Sequence, residues 1–316
     1  MIVGVVDIGT NSMRLLIEDG GAEVVREVTV TGLGTGIDAT GRFDEDRVRA
    51  TLSTLERYGE LMERHGVQRK RAVATSATRD AKDGPEFVDR AEQVLGVRPM
   101  VLSGTEEAAL SFLGATGARR DRGSVVVIDS GGGSTEFVYG RAGSASYATS
   151  IDVGSVRLTE RVIPSRPAPA AEVKAARTVV AAAFRGVDLP GRPASVLGVA
   201  GTFTSLAAIA LDLPVYDRDR VHGSVLTLDR IGELISRLTV MTTAETAEIP
   251  SLDPKRAPVL LAGALVVEGA LTAVGADEIE VSERDLLDGL AESVLSTQSS
   301  LFRPATTWSA KFDGIS

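Results

Sequence analysis

Apolar residues in the first third of the chain form short continuous runs, interrupted by longer stretches in which apolar residues recur at helical spacing. Short runs of this kind predict buried strands, and the helical spacing predicts amphipathic helices. The longest helix is predicted to begin with Asp44 as its N-terminal cap. Three strands followed by alternating helices and strands predict an α/β fold. In chain order the predicted elements are strands at 2–8, 13–18 and 23–31, a helix at 44–64, a strand at 72–74, a helix at 85–95, a strand at 97–102 and a helix at 105–115.

The same order of elements starts again after a polar, glycine-rich segment, Gly114 to Gly123, which we interpret as a hinge between two halves. The repetition predicts two domains of related fold, residues 1–118 and 119–316. The predicted elements of the second half are strands at 124–128, 136–139 and 145–151, a helix at 170–185, a strand at 195–199, a helix at 202–211, a long helix at 255–274, a strand at 278–281 and a last helix at 286–295.

A short motif, Asp-x-Gly-x-x-Ser, occurs once in each half, at Asp7 to Ser12 and at Asp129 to Ser134. Each copy follows a predicted buried strand. A hairpin turn explains either copy alone, but turn chemistry does not require Asp and Ser at matching offsets. A strand that turns through glycine leaves several backbone N–H groups directed at one point, where they can hold a phosphate group. We therefore predict two loops that clamp a phosphate chain from both sides.

Composition restricts the function classes. The chain has 316 residues, of which 43% are hydrophobic, and its apolar stretches are too short to suggest a membrane segment. We find no signal-peptide pattern and expect a cytoplasmic protein. The absence of cysteine and the presence of only two histidines exclude disulfides, thiolate zinc sites and a cysteine nucleophile, and disfavour a histidine triad. A net charge of −9 argues against nucleic-acid binding.

Five motifs in order carry a resemblance to a known family. The two phosphate loops resemble those of the ribonuclease H-like superfamily, which includes actin and the sugar kinases. Together with the other motifs, the chain is similar to the exopolyphosphatase/guanosine pentaphosphate phosphohydrolase family in its short, two-domain form. The resemblance implies two ribonuclease H-like domains with an interdomain cleft. The motifs are at residues 7–16, 74–81, 103–108, 129–137 and 154–160.

One loop departs from the pattern of that family. The segment Gly198-Val199-Ala200-Gly201-Thr202 carries alanine where the family has the first of two adjacent glycines. We expect the side chain of Ala200 to crowd a loop that nucleotide-binding relatives place near the base. Aromatic residues make up only 4% of the chain. Both observations favour polyphosphate over a nucleotide as substrate.

Two adjacent acids, Glu106 and Glu107, are candidates for the general base that activates water. Both fall in the first turn of a predicted helix, where the helix dipole favours acids in general. Neighbouring positions on a helix are about 100° apart, so only one of the two can face the cleft. The resemblance favours Glu107.

The other candidate site residues are acids for a cation and donors for phosphate. We predict Asp7, Asp129 and Glu136 as ligands of Mg²⁺, which prefers oxygen donors. Amides and hydroxyls of the two loops, together with cationic side chains near the motifs, are predicted to bind the substrate. Arginine is common on protein surfaces, so each cation alone is a weak candidate. The predicted substrate-binding residues are Thr10, Asn11, Ser12, Arg14, Arg79, Gly131, Gly132, Gly133, Ser134, Arg157, Lys255 and Arg256.

The sequence thus predicts a magnesium-dependent exopolyphosphatase that releases orthophosphate from inorganic polyphosphate. Removal of the 5′ γ-phosphate of guanosine pentaphosphate is the alternative with the same chemistry. A phosphotransferase on the same fold is a less favoured alternative, because a base that activates water is not needed for it. We expect no nucleic-acid or membrane partner, and a homodimer is left open.

Overall fold

The structure is a computed structural model that describes residues 1–118, 123–141 and 143–295. Its first sheet has five strands in the order β3-β2-β1-β4-β5. The first three strands form an antiparallel meander, and β4 lies parallel to β1 on the other side. The strands are β1 (Ile2–Ile8), β2 (Ser12–Asp19), β3 (Ala22–Val30), β4 (Arg69–Ala74) and β5 (Met100–Val101).

Helices connect and cover the strands of this half. The side chain of Asp44 caps α2 by accepting hydrogen bonds from the N–H groups of Asp46 and Arg47, which confirms the predicted cap. Tyr58 and Met62 of this helix are fully buried against the sheet. The helices are α1 (Ile37–Thr40), α2 (Glu45–Arg64), α3 (Ser76–Asp80), α4 (Gly84–Leu95) and α5 (Gly104–Thr116).

The second sheet has six strands in the order β10-β11-β9-β6-β7-β8. Read from β8, it repeats the arrangement of the first sheet, with a meander of three strands followed by parallel β9 and β11, and β10 is an addition at the edge. The repetition confirms an α/β fold built from two related halves. The strands are β6 (Ser124–Ser130), β7 (Thr135–Arg141), β8 (Ser144–Ile151), β9 (Ser195–Val199), β10 (Val225–Thr227) and β11 (Glu278–Val281).

The helices of this half include several that the hydrophobic pattern did not predict, α6 and α9 to α11. The predicted helix at 255–274 begins instead with a 3₁₀ segment, Pro254–Val259, that contains Pro258. This segment and α12 together are long and apolar enough to cross a membrane, but 61% of the apolar 18-residue window within them is buried inside the protein. The helices are α6 (Ser155–Val162), α7 (Ala170–Phe184), α8 (Gly201–Ala210), α9 (Arg218–Val221), α10 (Leu228–Val240), α11 (Thr243–Ala247), α12 (Leu260–Val274) and α13 (Leu286–Leu295).

Two helices cross between the halves. Helix α5 follows β5 of the first sheet, yet its Ala108 and Phe112 pack against the second sheet. Helix α13 follows β11 of the second sheet, yet its Leu286 and Leu290 pack against the first. The two helices meet through Gly114 and Gly289, and a Cβ atom on Gly114 would lie only 2.7 Å from the backbone nitrogen of Gly289.

The helix crossing bears on the predicted hinge and on the predicted domain boundary. Gly114 belongs to α5 and lies in a close helix contact, so it does not begin a flexible connection. Residues 119–122 of the predicted hinge lie outside the described residues. The division at 118/119 stays a prediction, and α13 lies against the sheet on the other side of it. The expected cytoplasmic location, the absence of a membrane partner and the homodimer also stay predictions.

We predict that Gly114→Ala lowers the free energy of unfolding by about 1–3 kcal/mol, because the new methyl group would overlap the carbonyl oxygen of Asp285. The matched control is Gly232→Ala in α10, where a Cβ atom would meet no heavy atom within 4 Å. The control is expected to gain up to about 1 kcal/mol from helix propensity. Urea unfolding of the parent and the two variants measures both changes in the free energy of unfolding. Equal effects of the two substitutions would contradict a tight crossing at Gly114.

Candidate active site

The two phosphate loops face each other across the interface of the halves. The hydroxyl groups of Thr10 and Ser76 are hydrogen-bonded at 2.8 Å. A Cβ atom on Gly133 would lie 2.5 Å from the Ser76 hydroxyl, and one on Gly132 would lie 3.0 Å from the Cβ atom of Thr10. Only glycine at these positions permits so close an approach. The loops line a cleft of about 610 Å³ between the two sheets.

Both loops have the same internal geometry. The N–H of Gly9 donates to the Ser12 carbonyl at 3.1 Å, and the N–H of Gly131 donates to the Ser134 carbonyl at 3.0 Å. The carbonyl groups of both loops accept hydrogen bonds from N–H groups of neighbouring segments. The N–H groups of Gly34 and Gly32 donate to Thr10 and Asn11, and the first N–H groups of α6 donate to Gly131 and Gly132.

This arrangement leaves loop donors available to a ligand. Within the described part of the chain, the N–H groups of the cleft-lining loop residues Thr10, Asn11 and Gly132 have no backbone acceptor. Buried N–H groups are nearly always paired in folded proteins, so free ones at a cleft indicate a site for an anion.

Glu106 and Glu107 are separated by the cap of α5. The carboxylate of Glu106 accepts hydrogen bonds from the N–H and the hydroxyl of Ser103, both at 2.8 Å, and so completes a capping box on the exposed side. Glu107, the next residue around the helix, lines the cleft and is 9% exposed. Its Oε2 atom has no hydrogen-bond partner, and the nearest cation, Arg79 Nη1, is 3.7 Å away.

Two carboxylates, Asp7 and Asp129, lie at the ends of β1 and β6 and line the cleft with Glu107. Arg14 Nε donates to Asp7 Oδ2 at 2.9 Å, and the buried hydroxyl of Ser111 donates to Asp129 Oδ2. The second oxygen of Asp7 is buried without a partner. Burial raises the pKa of Asp7, an effect that Arg14 opposes. Burial also raises the pKa of Asp129, to about 6.

Glu136 lies behind the cleft and does not line it. It faces Asp129 across the β6–β7 ladder, is 1% exposed, and accepts a hydrogen bond from the Ser150 hydroxyl at 2.7 Å. Burial and the neighbouring Asp129 raise the pKa of Glu136 to about 8. Burial, followed by the charges of Glu136, Asp129 and Asp7, likewise raises the pKa of Glu107 well above its ordinary value. The four carboxyl groups therefore act on one another.

The carboxylates at the cleft provide some of the oxygen ligands that a cation such as Mg²⁺ needs. Within the described ranges, no group of three or more acidic or histidine side chains is arranged to hold a metal ion. Asp7 and Asp129 nevertheless lie at the cleft, and the free Asp7 Oδ1 atom is an oxygen donor without a partner. Mg²⁺ is typically held by one or two carboxylates together with water and substrate phosphates. The residues present fit that pattern, with Glu136 outside the direct ligand set.

The predicted cations are not gathered into one basic track. Arg14 and Arg256 line the cleft, and Arg256 Nη2 donates to the Ser12 hydroxyl at 3.3 Å. Burial lowers the pKa of Arg256. Arg79 lies just outside, bonded to the Leu102 carbonyl and close to Glu107.

The structure does not bring Arg157 or Lys255 into the cleft. Arg157 forms ion pairs with Asp80 and, at 3.6 Å, with Asp38 of the first half, so its charge is already offset there. Lys255 is exposed and donates to the Val30 carbonyl at 3.3 Å. The predicted track formed by Lys255 and Arg256 is therefore reduced to Arg256. The other candidates at the cleft are Thr10, Asn11, Ser12, Gly131, Gly132 and Ser134, whereas Gly133 contacts Thr10 and Ser76 behind it.

Sequence reasoning missed several residues at the site. Ser111 lies one helical turn after Glu107, a spacing that could have identified it as a neighbour of Asp129. Asp285, which accepts a hydrogen bond from Arg14, follows no motif. Exposed apolar side chains that sequence reasoning did not identify also line the cleft: Val28, Val215 and Tyr216.

Ala200 immediately precedes α8 and has φ 73° and ψ 173°, a conformation that glycine adopts readily and other residues adopt at a cost of about 1–3 kcal/mol. The alanine that was expected to crowd this loop is therefore also a site of backbone strain. The neighbouring Gly201 lies directly against the Arg256 guanidinium group. The departure from the family pattern is thus located at the wall of the cleft.

Comparison with known proteins gives consistent results. The family model described as the Ppx/GppA phosphatase family matches residues 17–298. Exopolyphosphatase 2 of Mycobacterium tuberculosis is 41% identical over 315 residues, with 92% of this chain and 98% of that protein covered. The crystal structure of an exopolyphosphatase-like protein superposes with a TM-score of 0.88 and 37% identity, covering 93% of this chain and 98% of the other. The crystal structure of the Aquifex aeolicus member of the Ppx/GppA family superposes with a TM-score of 0.79 and 32% identity, covering 93% of this chain and 97% of the other.

We predict that Glu136→Gln stabilises the metal-free protein increasingly as the pH rises from about 5 to about 8. The folded protein keeps a proton on Glu136 up to a pKa of about 8, whereas the unfolded chain releases it near the ordinary value of 4.5. The folded state binds more protons in this range, so the stability of the parent falls as the pH rises. The amide of glutamine cannot ionise, so the variant does not show this fall in stability with rising pH. Melting temperatures across the pH range, with chelator present, measure the difference, and parallel curves for variant and parent would contradict it.

Proposed function

The chain belongs to the Ppx/GppA phosphatase family, and we propose that it is an exopolyphosphatase that hydrolyses the terminal phosphoanhydride bond of inorganic polyphosphate. The observation that carries this proposal is the placement of Glu107. Its carboxylate points into a cleft between two loops with free N–H groups, while the adjacent Glu106 is held in a helix cap. The site thus combines a base with two anion-binding loops.

The residues at the cleft support hydrolysis by an activated water. The terminal phosphoryl group is bound by N–H groups and hydroxyls of the two loops, which fix it in line for attack. Glu107 accepts a proton from the water as its oxygen bonds to phosphorus. The bond between phosphorus and the bridging oxygen breaks, and the products are orthophosphate and a chain shorter by one phosphate. Burial, followed by the charges of the neighbouring carboxylates, raises the pKa of Glu107, which makes it a stronger proton acceptor.

We propose Mg²⁺ as the cofactor, held by Asp7 and Asp129. When bound, the cation neutralises charge on the phosphoryl oxygens. The cluster of acids around the cleft would otherwise repel a polyanionic substrate. Four arginines line the cleft, and three of them are already paired with carboxylates: Arg14, Arg26 and Arg218. Ser111 holds Asp129, and Arg14 holds Asp7, so that each carboxylate keeps a fixed direction.

The alternative substrate is guanosine pentaphosphate. The observation in its favour is the set of exposed apolar side chains that line the cleft, Val28, Val215 and Tyr216. A nucleoside base can pack against such side chains, whereas inorganic polyphosphate has no apolar group that could do so. Both substrates present the same terminal phosphoanhydride to the loops.

The proposed function is tested by orthophosphate release from short polyphosphate, long polyphosphate, guanosine pentaphosphate and ATP, measured with each divalent metal in turn. We expect the highest kcat/KM with polyphosphate and Mg²⁺. A higher value for guanosine pentaphosphate would favour the alternative. Transfer of phosphate from ATP to an acceptor without release of orthophosphate would favour a phosphotransferase.

We predict that Glu107→Gln lowers kcat by a factor on the order of 10² to 10⁴ and leaves KM nearly unchanged, because the amide keeps the shape but cannot accept the proton. The control is Glu106→Gln, which preserves the acceptor of the capping box and should retain most activity. Steady-state kinetics on polyphosphate measure both. A larger loss for Glu106→Gln than for Glu107→Gln would show that the assignment is wrong.

We also predict that Asp7→Asn and Asp129→Asn each raise the Mg²⁺ concentration needed for half-maximal activity. Each substitution removes a negative charge and one oxygen donor from the proposed ligand set. Activity is measured as a function of Mg²⁺ at saturating polyphosphate. Unchanged Mg²⁺ dependence in both variants, or full activity in excess chelator, would exclude this assignment.

A further inference from the structure

Asp285 lies in the wall of the cleft, immediately before α13, and is 6% exposed. Its Oδ2 atom accepts a hydrogen bond from Arg14 Nη1, and its Oδ1 atom accepts one from the N–H of Leu287 at 2.9 Å. The N–H of Asp285 in turn donates to Asp288 Oδ2 at 3.0 Å. The carboxylate is therefore held from both sides and cannot turn away from Arg14 without leaving the start of the helix uncapped.

Arg14 is fixed between two carboxylates. Its Nε and Nη2 atoms contact Asp7 Oδ2 at 2.9 and 2.8 Å, and its Nη1 atom contacts Asp285. A guanidinium group is planar with its donors in a rigid fork, so contacts at both ends set its orientation. With Asp7 Oδ2 occupied in this way, Asp7 Oδ1 is the oxygen that remains free.

We propose that Asp285 is a positioning residue for the hydrolytic site, acting through Arg14 to fix the direction of Asp7. The inference rests on the proposed function, in which Asp7 and Arg14 serve the substrate side of the cleft. Asp285 and Arg14 are 271 positions apart in the chain. The last helix thereby reaches the loop that follows the first strand, and the site is complete only when α13 is in place.

A simpler explanation is that Asp285 only caps α13. Asp288 provides the matched control for that explanation. It accepts from the N–H of Asp285 at 3.0 Å and from Arg26 Nη2 at 2.7 Å, and it is also buried. Among the described residues, it forms no hydrogen bond or ion pair with Arg14 or Asp7. Loss of either acid weakens the start of the helix, but only loss of Asp285 releases Arg14.

The experiment compares Asp285→Asn with Asp288→Asn in the full-length protein. Asparagine has one acceptor oxygen, so at position 285 it cannot serve both Leu287 and Arg14. We expect both variants to have lower melting temperatures. We expect only Asp285→Asn to lose about 10–100-fold in kcat/KM for polyphosphate, the usual range for removal of a residue that orients a ligand group. Equal losses in the two variants would overturn the proposal in favour of a capping role.

A double-mutant cycle shows whether the effect passes through Arg14. If it does, Asp285→Asn adds little to the loss already caused by Arg14→Gln, because the group it positions is absent. Additive losses in kcat/KM would overturn the proposal.

A spectroscopic measurement keeps the test independent of activity. The Arg14 Nε–H signal, assigned by its disappearance in Arg14→Lys, is expected to exchange with solvent faster in Asp285→Asn than in Asp288→Asn. Unchanged exchange in Asp285→Asn would contradict the positioning role even if the parent protein hydrolysed no polyphosphate. An inactive parent would contradict the proposed function alone.

Discussion

Four carboxyl groups are buried close together at the centre of this protein, and the rest of the site depends on how their charges are offset. Asp7, Asp129, Glu107 and Glu136 are each at most 9% exposed. Burial raises the pKa of every member, and a neighbouring carboxylate adds to the effect in each case, which for Asp7 is Asp285. Arg14 is hydrogen-bonded to Asp7 and is shared with Asp285, and Arg79 is ion-paired with Glu107 at 3.7 Å. Such a cluster destabilises the folded protein and favours the binding of a cation. Hydrophobic cores on both sheets supply the stability that the cluster removes.

The duplication of the fold explains where the asymmetry of the site comes from. Asp7 pairs with Arg14 in the β1–β2 ladder, and Asp129 pairs with Glu136 at the same place in the β6–β7 ladder. One backbone arrangement thus places an opposite charge beside the first aspartate and a like charge beside the second. The first carboxylate is oriented by an ion pair, and the second is held by the Ser111 hydroxyl of a crossing helix. Equivalent loops therefore provide two different carboxylate environments on either side of one cleft.

The strands and the two phosphate loops could be predicted from the sequence because their signals are local. Runs of buried residues fixed β1 and β6 to within two residues, and the repeated Asp-x-Gly-x-x-Ser pattern located both loops. The residues that sequence reasoning misplaced or missed depend on partners that are distant in the chain. Arg157 is held by acids of the other half, and the role of Asp285 depends on Arg14 at the opposite end of the chain. No local pattern carries such information.

Among the helices, the error at 255–274 has a local cause. Pro258 lacks a backbone N–H and its ring clashes with the preceding turn of an α-helix, so the first turns form a 3₁₀ segment. That segment presents Arg256 to the cleft and leaves Lys255 exposed. The sequence pattern alone had placed the two cations on one helix.

The contacts between the halves differ in how easily they can change. At the outer rims, exposed or half-exposed ion pairs join the halves, Glu23 with Arg218 and Asp38 with Arg161. Pairs of this kind contribute about 0–1 kcal/mol each, because water screens them. The crossing of α5 and α13 is backbone against backbone at Gly114 and Gly289, and no side chain there can adjust. The rim pairs are therefore weak contacts between the halves, whereas the crossing is tightly packed. Since Glu107 lies in the first turn of α5 and Asp285 immediately precedes α13, the base and the residue that orients Arg14 are both carried by the helices that join the halves.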